Sequence, residues 1–186
     1  MFLGTIKLGC EGKYMVILGI DPGYAIVGYG AICISKSRFY PVGYGAILTD
    51  ASQDFPARLN IIYDKMLKIL NACHPNAVAV EKLYFQNNQK TAIQVAEARG
   101  VILLAAKREG IPIYEYTPLQ VKTAVTGYGK AKKNQVMEMT KKLLNLEEVP
   151  KPDDTADALA IAICHANMAG SNLRLKLVNR NLGYKF

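Results

Sequence analysis

Two wholly apolar runs, "MVILGI" at 15–20 and "AVAVE" at 77–81, lead into acids, Asp21 following the first and Glu81 closing the second. A short run without polar alternation is what a strand covered on both faces requires, so each belongs inside a sheet with helices above and below. Parallel strands of such a sheet end on one rim, and ligands bind there. With the two strands adjacent and parallel, Asp21 and Glu81 project from the same edge. Carboxylates that close repel, and one takes a proton unless a cation lies between them. A hard divalent ion, by default Mg2+, suits such oxygen donors. Taken singly, Asp21 reads equally well as the first residue of an Asp-Pro-Gly turn, and Glu81 as an exposed strand end.

Around these runs the chain alternates strand and helix. "YAIVGYGAICI" (24–34) and "FYPVGYGAILT" (39–49) share the hexapeptide "VGYGAI" across the polar link "SKSR", the signature of antiparallel neighbours. Neither copy completes G-x-G-x-x-G, since Cys33 and Leu48 stand at the last position, so the glycines are read as sites of close backbone approach. A helix over 54–70 is capped by Asp54 with Pro56 in its first turn, and a long helix spans about 89–108. That helix carries Ala92, Ala96 and Gly100 on one ridge, where either the home sheet or a second helix can approach closely. "IPIYEY" follows as a strand, then helices near 117–125, 131–145 and 154–168. The sum is α/β, a mixed sheet with helices on both faces.

Further acids stand in "PDDTADALAIA". With Pro152 opening the helix, Asp154 and Asp157 lie at i and i+3 on one side, ahead of Ile161 and Cys164, and Asp153 falls off that face. Acids in a first turn also cap amides and complement the helix dipole, which accounts for one Asp more easily than for two. Four such acids together describe a two-metal carboxylate site.

The formal charge of +8 is unevenly placed. Between Lys122 and Lys142 there are six lysines, among them Lys130, Lys132 and Lys133, against the single acid Glu138. The tail beyond Ser171 carries Arg174, Lys176, Arg180 and Lys185 with no acid. Clustered cations are the footprint of a polyanion, because each one placed on a phosphate releases counterions, although a lysine run is equally a solvated helix face. Beside a carboxylate cluster the conjunction points to phosphodiester hydrolysis. The four cysteines are widely spaced, indicating neither a zinc site nor a disulfide framework, and imply a reducing compartment, hence the cytoplasm. No apolar stretch reaches the roughly 20 residues of a membrane helix, and residues 1–14 read as an extension without a cleavage pattern. One domain over 15–169 and a basic tail over 170–186 complete the expected layout.

"GIDPGYAIVGYG", "AVAVEKLYF", "QVAEARGVILLAA", "YTPLQVKTAVTGYGKAKKNQV" and "DDTADALAIAICH" together resemble, in order, the motifs of the RuvC family of bacterial Holliday-junction resolvases. The resemblance runs from about Met15 to Met168 and implies a ribonuclease H-like mixed five-stranded sheet. It further implies an endodeoxyribonuclease that resolves four-way DNA junctions by paired symmetric nicks in recombination and repair, leaving 5′-phosphate and 3′-hydroxyl ends. Asp21, Glu81, Asp154 and Asp157 match the family's catalytic and metal-binding acids, for two Mg2+ ions per site. Some relatives have His at the position of Asp154, which leaves its role open between ligand and proton-transfer group. Lys122 and Lys133 match DNA-binding lysines, with Lys130 and Lys132 beside them. Tyr84 matches an aromatic placed near the junction centre, and Phe85 is its rival. The ridge of Ala92, Ala96 and Gly100 matches the helix through which family members form homodimers, and a branch-migration helicase complex is the implied pathway partner. An actin-like ATPase also opens on Asp-x-Gly, but Tyr24 stands where a phosphate-holding hydroxyl or amide would follow. A P-loop fails at Ala124 and Ala131. A junction-binding module without catalysis is the remaining rival, opposed by the four acids.

Overall fold

The hairpin expected from the repeated "VGYGAI" begins a five-stranded sheet. The structure, a computed structural model, describes residues 15–35, 38–83 and 91–181, with side chains through residue 169. Its elements are β1 (Met15–Asp21), β2 (Ile26–Ser35), β3 (Arg38–Leu48), α1 (Phe55–Cys73), β4 (Ala77–Glu81), α2 (Ala92–Arg108), β5 (Ile113–Tyr116), α3 (Pro118–Thr126), α4 (Lys133–Leu143) and α5 (Asp153–Asn181). The sheet order is β3-β2-β1-β4-β5. The first three strands are antiparallel in succession, whereas β4 and β5 join parallel to β1. This is the mixed sheet expected of a ribonuclease H-like fold.

Side chains alternate across the sheet. Val16, Leu18 and Ile20 of β1, with Val78 and Val80 of β4, pack with Ile62, Met66 and Ile102 of α1 and α2. On the other face, Ile17 and Ala79 pack with Leu159, Ile161 and Ile163 of α5, flanked by Val121 and Val125 of α3 and Val136 of α4. Helix starts follow local chemistry. Asp54 accepts from the Ala57 amide at 2.7 Å ahead of α1, and Thr117 and Gln120 cap α3 reciprocally.

The glycines decide how closely α5 approaches. A Cβ built on Gly19 would lie 2.0 Å from the Ala158 carbonyl oxygen, and one on Gly28 would lie 2.0 Å from that of Asp154. One on Gly30 would meet the Leu159 side chain at 2.6 Å. Any larger residue would therefore lift α5 off β1 and β2. Among the repeated glycines, Gly28 and Gly30 realise the expected close approach, to the helix bearing the last acids, whereas Gly45 lies against the Tyr29 side chain.

Several boundaries differ from expectation. Asp21 is the last residue of β1 and not merely the start of a turn, because it pairs with Gly28 of β2. The hairpin's first strand begins at Ile26, two residues beyond Tyr24, and α5 continues past Met168 to Asn181. Cys33, buried in β2, is disulfide-bonded, a departure from the expectation of no disulfide framework, whereas Cys73 and Cys164 are free thiols. No helix among the described residues is long and apolar enough to cross a membrane.

The small-residue ridge of α2 does not face the home sheet. That contact is made by Ala98, Ile102, Ala105 and Ala106. A Cβ on Gly100 would meet nothing within 4 Å, and Ile93 and Leu104 beside it are 70% and 54% exposed. At Gly100, then, the home sheet is not the approaching element.

Candidate active site

β1 and β4 are in register from Ile17 against Ala77 to Ile20 against Val80. Asp21 and Glu81 are the next pair, on strands spaced about 4.8 Å apart, and in-register neighbours point to the same face. That face is the one α5 covers, since Gly19, two residues before Asp21, lies against Ala158. Gly28, the ladder partner of Asp21, lies under the backbone of Asp154. One turn of helix then places Asp157 over the same rim.

The electrostatics report this assembly. The Asp21 carboxyl is pushed from its ordinary 3.8 up to about 8, first by burial and then by the charges of Glu81, Asp157 and Asp154. Glu81 is raised by burial and by Asp157, with Lys122 and Lys133 opposing. Burial also raises Asp157, against the pull of its bond to Lys133. Two carboxyls at strand ends and one on α5, each raised first by burial and then by neighbouring acids, form a cluster that a bound cation would relieve.

Lys133 supplies part of that cation. It opens α4, and its Nζ lies 3.0 Å from Asp157 Oδ2 and 3.7 Å from Asp153 Oδ2. Burial works against its charge, but the Asp157 bond and the neighbouring carboxylates outweigh it and raise its affinity for the proton. Lys133 and Lys122 line a cleft of about 220 Å³ with Glu81 and Asp157, over an apolar wall of Val121, Val136 and Ile161. Asp153, off the acidic face, bonds Lys151 at 3.0 Å and reaches the cluster only through the longer contact to Lys133.

Among the described residues, no three His, Cys, Asp or Glu side chains already close into a metal-binding group. Asp157 is instead paired with Lys133 at 3.0 Å. The donor set nevertheless fits a hard divalent ion, because all of its donors are carboxylate oxygens, and Asp21 and Glu81 are buried beside further acids.

The structure thus brings together Asp21, Glu81, Asp154, Asp157, Lys122 and Lys133. Lys130 and Lys132 lie in the segment leading to α4, outside the acidic cleft, where the Lys132 amide donates to Gln135 Oε1 at 2.8 Å. Tyr84 and Phe85 lie outside the described residues.

Sequence reasoning missed two arginines behind the site. Arg58 of α1 is buried, donates through Nε to Thr49 Oγ1 at 2.9 Å and through Nη2 to the Tyr24 carbonyl at 3.3 Å, and stacks over the Tyr24 ring. It steadies the turn that follows Asp21. Arg99 of α2 donates through Nε to the Glu81 carbonyl at 3.4 Å and pairs with Glu115. An arginine on the apolar face of a predicted helix was the available signal, since burying a charge is costly unless it is bonded. The placement of Lys133 among the acids also had a cue: a lysine at a helix N-terminus opposes the dipole and calls for a nearby anion.

The model of the family described as crossover junction endodeoxyribonuclease RuvC matches residues 17–165. The crossover junction endodeoxyribonuclease RuvC of Desulfitobacterium hafniense is 56% identical over 153 residues, covering 82% of this chain and 93% of the relative. That of Halothermothrix orenii is 57% identical with the same coverage of both chains. Among solved structures, Thermus thermophilus RuvC superposes with a TM-score of 0.80 at 36% identity, over 85% of this chain and 97% of that one. The T. thermophilus RuvC complex with a Holliday junction substrate gives 0.77 at 34% identity, over 84% and 96%. With the acids on one rim and the match running through nearly all of the described fold, the chain belongs to the RuvC crossover junction endodeoxyribonuclease family.

Proposed function

We propose that this protein resolves four-way DNA junctions by paired, symmetric hydrolytic nicks, in recombination and repair, leaving 5′-phosphate and 3′-hydroxyl ends. The observation that carries the reading is the in-register pair Asp21 and Glu81 under the first turns of α5, with Lys122 and Lys133 at the cleft beside them. Asp21, Glu81, Asp154 and Asp157 would hold two Mg2+ ions, Asp154 serving either as ligand or in proton transfer. When bound, the ions supply charge neutralisation at the phosphate and a water of lowered pKa for in-line attack.

The chain's own residues do the rest. Asp21 and Glu81, on rigid strand ends, fix the direction of the carboxylates. Asp157 would be a further carboxylate for the ions, and Lys133, which bonds it at 3.0 Å, would offer its ammonium to the phosphate. Lys122 lies on the same cleft and offers a second phosphate contact, with Lys130 and Lys132 continuing the basic surface. Such contacts position the duplex arms by charge and shape. Tyr84 or Phe85 would stack on an unpaired base at the crossover.

Two sites per junction require two protomers. The ridge of Ala92, Ala96 and Gly100 on α2, with Ile93 and Leu104 exposed beside it, suits a two-fold homodimer, whose symmetry matches that of an open junction. The catalytic unit spans 15–169, with the extension 1–14 and the basic tail 170–186 outside it. The protein works in the cytoplasm, alongside a branch-migration helicase complex.

The test is cleavage of a labelled mobile four-way junction and of the matching linear duplex, with Mg2+ and with EDTA. Paired, symmetric, Mg2+-dependent nicks in the junction alone are expected. Tight junction binding without nicks would move the protein to a binding role and make the acid cluster a matter of stability.

A further inference from the structure

Glu81 is held from behind the sheet. Its side chain faces α5, but the carbonyl of the same residue receives Arg99 Nε at 3.4 Å from α2, on the opposite face. The register explains how. Val80 pairs with Glu115 and Glu81 with Tyr116, so Glu115 shares the α2 face with Val80 while Tyr116 shares the α5 face with Glu81. Arg99 therefore meets the Glu115 carboxylate and the Glu81 carbonyl together, its fork spanning the ends of β4 and β5. The Arg99 side chain is only 16% exposed, and burial holds its pKa below the ordinary arginine value. A charge kept at that cost stands beside Glu81 and Tyr116, the final pair of the β4–β5 register, where the Lys82 amide donates to the Tyr116 carbonyl at 2.8 Å.

We propose that Arg99 is a positioning residue for the nuclease reaction, clamping the end of β4 to β5 so that the Glu81 carboxylate is held at a fixed place on the opposite face. The inference rests on the proposed role of Glu81 as an active-site acid. Arg99 touches neither DNA nor metal in this role and acts through the backbone of Glu81. A displacement of about 1 Å at a reacting group can cost roughly 100-fold in rate. The clamp also places the position of Glu81 under the control of α2. Arg99 precedes Gly100, so the residue that fixes the acid and the ridge proposed to meet a second protomer belong to one helical turn.

The experiment compares full-length Arg99→Met, Arg99→Lys and Glu115→Gln with the unsubstituted protein and with Asp21→Asn. Single-turnover junction cleavage, junction affinity and amide exchange over residues 77–83 are measured. Arg99→Met should cut at least tenfold more slowly with affinity within about twofold, and exchange faster over 77–83 while β1 keeps its protection. Arg99→Lys, which can keep one of the two bonds, should fall between it and the unsubstituted protein, and Glu115→Gln should lose less than Arg99→Met. Parental cleavage in Arg99→Met, or faster exchange throughout the sheet together with lost binding, would overturn the positioning role. Full cleavage by Asp21→Asn would instead sink the proposed site. The exchange measurement decides the clamp in that case too.

Discussion

The two faces of the sheet are built to opposite specifications. Toward α1 and α2, β1 presents Val16, Leu18 and Ile20, and a full layer of aliphatic side chains keeps helix and sheet apart. Toward α5 it presents Ile17, Gly19 and Asp21, and β2 adds Gly28 and Gly30, so helix backbone rests almost on strand backbone. The first face stores stability. The second gives up apolar volume to bring one helix N-terminus against the ends of two strands, and the carboxylates meet because of it.

Neighbouring residues on opposite faces break the comparison most sharply. Leu18→Ala should cost about 2–5 kcal/mol in denaturant melts, yet leave cleavage by the folded fraction within about twofold. Gly19→Ala adds a methyl where the Ala158 oxygen already stands. Its stability cost should be about 1–3 kcal/mol, but cleavage should fall by about 100-fold as α5 is displaced. Equal loss of cleavage per unit of lost stability in the two variants would erase the distinction.

The charge on the α5 face gives the next effect. Asp21 binds its proton more tightly folded (about 8) than at its ordinary 3.8, so the folded state carries more protons between these values. Unfolding free energy of the metal-free protein should then fall as pH rises from about 4 to about 8. Asp21→Asn should flatten that slope and raise stability at pH 8, while abolishing cleavage and sparing junction binding. Added Mg2+ should flatten the slope for the unsubstituted protein. A slope unchanged in Asp21→Asn would mean that the carboxyl is not the strained group.

Smaller effects sharpen the picture. Lys133→Ala should weaken junction binding and lower the slope of log affinity against log salt by about one, if the ammonium reaches a phosphate once Asp157 releases it. An unchanged salt slope would confine Lys133 to the acid cluster. On the outer side of the α1 and α2 face, Gly100→Ala fills open space and removes a mid-helix glycine. It should stabilise the isolated protomer by about 1 kcal/mol and weaken self-association in sedimentation. Unaltered association would place the dimer contact elsewhere.

The legibility of the molecule follows the same division. The strand acids were readable because a buried strand has no polar position to spare, and an acid at its end stands out. The glycine repeat announced close approach, and Asp154 with Asp157 announced a helical face. What could not be read was which helix approaches which glycine, since Gly28 and Asp154 are joined only by the completed fold. The arginines escaped for the same reason. Arg58 and Arg99 act on the carbonyls of Tyr24 and Glu81, and nothing in a sequence reports who accepts from a guanidinium. Lys133 was expected at DNA, whereas the structure places it first at Asp157.

Reliance on α5 to complete the carboxylate set also bears on how the protein is made. Asp21 lies in the first described element and Asp154 and Asp157 in the last. At a synthesis rate of about 5–20 residues per second, on the order of ten seconds separate their emergence from the ribosome. Until the last helix emerges and settles on Gly19 and Gly28, the nascent chain holds only half of its acids. On the proposed site, a nuclease assembled in this order completes its acid set last, and a chain ending before α5 should not cut junctions.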